Sequence, residues 1–213
     1  MPKREQLVSD LTGEHKVGVL LVAQMGGAPE EIQIIVQTAT YDESIQGLRE
    51  GRAYVIRALG VKEHRITLGL FNNLFFAQEH PILHHHNLPR YAIQFDGQAK
   101  DINELVLDIQ AAYSATFGPW RDLAEDVNRT MPLFTLFQQG EGMLGTMPDP
   151  AAQRMVKVLE HHGLAARLEQ ALDGRTDKPD DRGRVNKLHL LGIDDSYLIA
   201  YSFSVDEMGQ LKK

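Results

Sequence analysis

The chain has 213 residues, 43% of them hydrophobic and 24% charged, with no cysteine and a formal net charge of −7. That length allows one large domain or two small ones, with a core that needs no covalent staple. The composition excludes disulfide scaffolds, thiolate zinc sites, iron–sulfur clusters and cysteine nucleophiles, and an acidic chain with no basic run longer than a pair argues against nucleic acid.

The start, MPKREQLVSDL, lacks the apolar stretch of a signal peptide, and no run approaches the roughly 18 apolar residues of a membrane span. The expectation is a soluble cytoplasmic protein that contacts no membrane. Val17–Gln24 is apolar and β-branched, Gly26 to Pro29 supplies a turn, and Ile32, Ile34 and Val36 share one face of a second strand, so a β-hairpin is predicted. Arg52–Leu59 follows as a strand with Tyr54, Ile56 and Ala58 on one side. Gly60–Glu63 reads as a turn, and His64–Leu70 as a strand with Ile66, Leu68 and Leu70 on one parity. Leu74–Gln78 and Tyr91–Asp96 complete the strand-rich part.

The spacing of Ile102, Leu105, Val106, Ile109, Ala112, Tyr113 and Phe117 predicts a helix capped by Asp101 and ended by Gly118-Pro119. A shorter helix is expected over Pro119–Asn128 with Trp120, Leu123 and Val127 buried. Pro132–Gln138 fits helix or strand. The glycines and prolines of Gln139–Pro150 predict a loop and a subdomain boundary, with parts 1–139 and 140–213 of one globular unit. Two helices, Ala151–His162 and Leu164–Leu172, are expected next, then a solvated loop over Asp173–Arg184, then a hairpin of Val185–Leu191 with Tyr197–Val205. The fold class is α+β: a mainly antiparallel sheet against amphipathic helices, with a C-terminal helical segment and a closing hairpin.

The histidines carry the most distinctive pattern. Five of nine fall between positions 64 and 86: His64, His80, His84, His85 and His86. Neutral imidazole is the commonest metal ligand, so His80, His84 and His86 form a candidate divalent-metal set, with Glu79 as ligand or base. The alternative is an exposed connector that binds nothing. His64, placed on an apolar face, is a candidate catalytic base without an identifiable partner. Gly140–Gly145 matches G-x-G-x-x-G, but nucleotide binding needs a strand before it and a helix after it, so a flexible loop or lid is expected instead. Glu160-His161-His162 reads as a helix C-terminus, Asp194-Asp195 as turn residues, and Trp120-Arg121 as a candidate ligand-stacking pair.

Three functional readings follow. The first is a non-catalytic binding or interaction module that needs no cofactor and pairs with itself or another protein through strand edges. The second is a metal-dependent hydrolase built on positions 80–86. The third is a histidine-based pH-responsive protein.

Overall fold

The computed structural model describes residues 3–171 and 187–208. Among them are five helices and ten strands, and every strand pair is antiparallel, which makes the fold α+β. The chain forms two compact units, residues 1–79 with 186–213 and residues 80–185. The expected boundary at 139/140 is not where the chain divides, because residues on both sides of it pair within one sheet of the second unit. The expected solvated loop over Asp173–Arg184 lies outside the described residues.

The first unit holds helix α1 (Lys3–Leu11) and strands β1 (Lys16–Met25), β2 (Glu31–Asp42), β3 (Gly47–Arg65), β4 (Gly69–Phe71) and β5 (Leu74–Ala77). Two strands rejoin it after the second unit, β9 (His189–Ile193) and β10 (Ser196–Glu207). They form one sheet in the order β4-β1-β2-β3-β10-β9-β5. The alternation predicted for β2 and β3 is what buries Ile32, Ile34, Val36, Tyr54, Ile56 and Ala58 on a common face. Helix α1 contributes Leu7 and Leu11 to the same core and touches β1, β2, β5 and β10. Its Asp10 accepts a hydrogen bond from Tyr54 Oη at 2.7 Å and pairs with Arg52 at 3.1 Å. Burial, followed by the Asp10 carboxylate, pushes the Tyr54 phenol up to about 12.

Two predicted features are corrected here. Gly60–Glu63 is not a turn. β3 runs through it, with Gly60 at φ +66 and a register shift against β10 between Ile199 and Ala200. Such an irregularity bends a strand without ending it. His64–Leu70 is not one strand: β3 stops at Arg65 and a new strand starts at Gly69, and Leu68 and Leu70 are exposed.

The two edges of the sheet, β4 and β5, are separated only by Asn72 and Asn73, so the sheet curls until its edges adjoin. Asp194 holds that link. Its carboxylate accepts the N–H groups of Asn72 and Asn73, each at 2.9 Å, and its own N–H donates to Asn73 O at 3.0 Å. Asp194→Ala is expected to lower the unfolding free energy by about 2 kcal/mol, since hydrogen bonds to a charged group are worth about 1.5–3 kcal/mol. Urea denaturation followed by far-ultraviolet circular dichroism measures it.

The second unit contains a 3-10 turn (Pro81–Leu83), α2 (His84–Asn87), β6 (Arg90–Asp96), α3 (Ile102–Phe117), α4 (Leu133–Gln139), β7 (Glu141–Pro148), α5 (Asp149–His161) and β8 (Ala165–Gln170). Its sheet order is β7-β6-β8. Ile93 and Phe95 of the central strand pack in one core with Leu105, Ile109, Tyr113 and Phe117 of α3 and with Met155 and Leu159 of α5. Asp101 caps α3 as its sequence predicts, accepting from the N–H groups of Asn103 and Glu104.

Three expectations for this unit are overturned. Pro119–Asn128 forms two short 3-10 turns, Gly118–Trp120 and Leu123–Glu125, not a helix. Gln139–Pro150 is largely strand β7 followed at once by α5, not a loop. The helix expected over Leu164–Leu172 is not formed among the described residues, because Ala165–Gln170 is strand β8, paired with β6 from Ala165 opposite Asp96 to Gln170 opposite Tyr91.

Candidate functional site

The deepest polar cluster among the described residues lies in the second unit and joins four elements. His85 comes from α2, Tyr113 from α3, Asp126 from the segment after the Leu123–Glu125 turn, and Arg90 from β6. His85 Nε2 lies 2.5 Å from Asp126 Oδ2, and Tyr113 Oη donates to the same oxygen at 2.7 Å. Arg90 approaches the other carboxylate oxygen at 3.6 Å and donates to Thr146 O at 2.8 Å. The side chains of His85 and Asp126 are only 4% and 3% exposed, so the pair is closed to solvent.

The charge state follows from these contacts. Burial opposes ionisation of Asp126, but the hydrogen bonds from His85 and Tyr113 and the charge of Arg121 outweigh it and hold its carboxyl below the usual range. Burial also lowers His85, against the pull of Asp126. A neutral His85 therefore donates its Nε2 proton to an ionised Asp126. Nδ1 of the same ring is buried as well. A general base must reach the proton it abstracts, directly or through one water. The cluster has the geometry of the orienting half of a catalytic dyad, and its enclosure makes it an internal brace.

A backbone strap completes the brace. Thr146 N donates to Asp126 O at 2.9 Å, Asn128 N donates to Leu144 O at 2.7 Å, and Val127 forms a bridge with Gly145. A Cβ on Gly145 would stand 2.2 Å from Asp126 O, so glycine is required for this close approach. The G-x-G-x-x-G sequence thus serves strand packing rather than phosphate binding.

No protein-family model, no curated protein and no solved structure matches the chain. The reading of the site rests on its own geometry.

The remaining predicted residues disperse. His80 Nδ1 accepts the Ile82 N–H at 3.3 Å, which caps the Pro81–Leu83 turn and leaves the ring proton on Nε2. Its ring meets Trp120 edge-on at 5.4 Å. His84, with its side chain half-buried, lies close enough to His80 for the two charges to repel. Among the described residues no group of three histidine, aspartate or glutamate side chains is placed to hold a metal ion, so His80, His84 and His86 do not form the expected ligand set. The physical reason is the split use of the segment: His80 is spent on a cap and His85 is turned inward to Asp126. Glu79 is exposed at the end of the first unit, and His64 is exposed in β3, not on a buried apolar face. Of the candidate stacking pair, Trp120 is half-buried, and Arg121, its side chain 10% exposed, bonds Glu125 at 2.8 Å. His162 Nε2 pairs with Asp108 Oδ2 at 2.8 Å and so ties the end of α5 to α3. Asp126, Tyr113 and Arg90 escaped sequence reasoning. Tyr113 had a visible role as a core residue, and Asp126 sits in an aperiodic stretch with no local signal.

The histidines set a pH dependence. Burial places His80, His84 and His85 below the ordinary 6.5. As pH falls through about 6.5, the unfolded chain takes up protons before the folded one, so stability is present above that value and declines below it. The slope is at most about 1.4 kcal/mol per pH unit for each such histidine. Urea midpoints at about pH 7 and 5.5 should fall in that order, and His85→Gln should flatten the difference.

The first unit offers a different kind of site. On its β4 side, β1 is paired only at Gly18–Leu20. Val22–Met25 pairs with β2, and among the described residues no other backbone hydrogen bond reaches Leu21–Met25 on the β4 side. Leu21 is the extra residue of a bulge: Leu20 faces Val36 while Val22 faces Ile35. Ala23 and Met25 lie opposite buried Ile34 and Ile32, on the core face of the sheet, yet Met25 is 70% exposed. Exposed Leu68 and Leu70 border the same stretch, since Leu70 and Gly69 pair with Val19 and Leu20. Among the described residues, nothing pairs with this end of the core face.

Proposed function

We propose that the protein is a non-catalytic interaction module whose first unit accepts an extended polypeptide strand. The observation that carries this is the open edge of β1 over Leu21–Met25. In an antiparallel ladder alternate residues turn their N–H and C=O groups to each side, so this edge presents donors and acceptors in strand geometry. Strand addition uses those groups for affinity and neighbouring side chains for specificity. Leu21, Met25, Leu68 and Leu70 supply the apolar component. The enclosure of the His85–Asp126 pair supports the same reading, because the deepest polar cluster among the described residues is used as a brace.

The test is fluorescence anisotropy with a labelled short peptide of alternating valine and threonine, extended and uncharged except for a terminal lysine. It should bind the intact protein and lose at least tenfold in affinity with the double variant Leu21→Lys, Met25→Lys, which places charges on the edge. Equal binding by a variant that retains the native circular dichroism spectrum would overturn the reading.

A further inference from the structure

We infer that the strand received by this edge is the same segment of a second copy, giving a two-fold dimer centred on Ala23. The inference rests on the strand-edge reading above and names its partner.

The available window fixes the register. β4 covers β1 at Gly18–Leu20, and β1 ends at Met25, so Leu21–Met25 is the longer stretch of this side of β1 left for a new strand, Lys16–Val17 being only two residues. A second copy has the same five residues available. Antiparallel overlap of two such windows is greatest when the axis passes through Ala23, which sets Ala23 against Ala23, Val22 against Gln24, and Leu21 against Met25. Two-fold symmetry makes this pairing isologous, each contact occurring twice.

The chemistry of the window suits a copy of itself. Leu21-Val22-Ala23-Gln24-Met25 contains no charged residue, so no like charges meet across the axis. The smallest residue lies at the centre, where opposed Cβ atoms stand about 4.5–5.5 Å apart. Both ends bring exposed apolar side chains, Leu21 at 48% and Met25 at 70%, into direct opposition. With the axis perpendicular to the sheet, Ala23 and Met25 of both copies lie on the same face as Ile34 and Ile32, and the apolar row continues from one core face to the next. The hairpin that presents the window is itself fixed: the Glu31 carboxylate accepts the Ala28 N–H at 3.0 Å, and Gly26 N donates to Glu31 O at 2.8 Å.

Sedimentation equilibrium of the full chain over a wide concentration range tests the inference. The mass should rise from one chain toward two, and Ala23→Lys, which sets two ammonium groups against each other, should hold it at one. The chain has no cysteine, so a single introduced thiol reports register. Ala23→Cys should form an inter-chain disulfide on mild oxidation, and Gln24→Cys, which faces Val22 of the other copy, should do so at least tenfold more slowly. A mass of one chain at every concentration, a dimer that survives Ala23→Lys, or equal cross-linking at positions 23 and 24 would each overturn the dimer. Peptide binding by a protein that stays monomeric would sink this inference alone, and loss of both would sink the strand-edge reading too.

Discussion

Asp126→Ala should lower the stability of the second unit by about 3–5 kcal/mol, the cost of removing a buried carboxylate on which three side chains converge. The cost is not the lost attraction alone. Asp126 Oδ2 receives both the His85 ring and the Tyr113 hydroxyl, and Arg90 faces the other oxygen. Truncation leaves two buried donors without their acceptor and a guanidinium beside an empty volume. Each unsatisfied donor costs about 1–3 kcal/mol. Asp126→Asn keeps one oxygen for His85 and Tyr113 but turns an amide N–H₂ toward Arg90, so about half the loss is expected. Trp120, the one tryptophan of the chain, lies in this unit and packs against His80. Its fluorescence during urea unfolding therefore reports the unit directly. A loss under about 1 kcal/mol for Asp126→Ala would show that the cluster is not the brace described above.

The same cluster marks the limit of what the sequence disclosed. Short-range patterns were legible. The alternation in β2 and the first half of β3, the three- and four-residue steps of α3 and the Asp101 cap all correspond to local periodicities. What failed required partners distant in sequence. Leu164 to Leu172 is rich in leucine, alanine, arginine and glutamate, all good helix formers. Yet Gly163 ends α5 at φ +83, and the free side of β6 recruits the following residues as β8, with Ala166 and Leu168 turned to the core. Pairing overrode propensity. The glycines at 142 and 145 looked like loop residues because nothing local shows what they must admit: Leu136 and Phe95 at the first, the Asp126–Val127 backbone at the second. The histidine cluster was visible as composition, but its division into a capping His80 and an inward His85 depends on where Asp126 comes to rest. The open edge of β1 was anticipated only as a general property of long strands. Its limits, Leu21 and Met25, are set by β4, which begins more than forty residues later along the chain.

Gly145→Ala is the sharper test of how the brace is built. Its Cβ would lie 2.2 Å from Asp126 O and 2.7 Å from Val127 Cα, both backbone atoms that cannot swing aside as a side chain can. Relief requires the strap to move off β7, which stretches the Thr146–Asp126 and Asn128–Leu144 hydrogen bonds. A loss of about 3 kcal/mol is expected, at the upper end for overpacking a tight site. Gly27→Ala, with nothing within 4 Å of its Cβ, serves as the control and should change stability by less than about 0.5 kcal/mol. Because the strap carries Asp126, displacing it also draws the carboxylate from His85 and Tyr113. The two lesions then share one consequence, and the double variant Gly145→Ala, Asp126→Ala should cost at least about 1 kcal/mol less than the sum of the single ones. Strict additivity would mean that the strap and the carboxylate act separately. A shortfall would place the glycine of the strand, the backbone it admits and the buried carboxylate cluster in one cooperative unit.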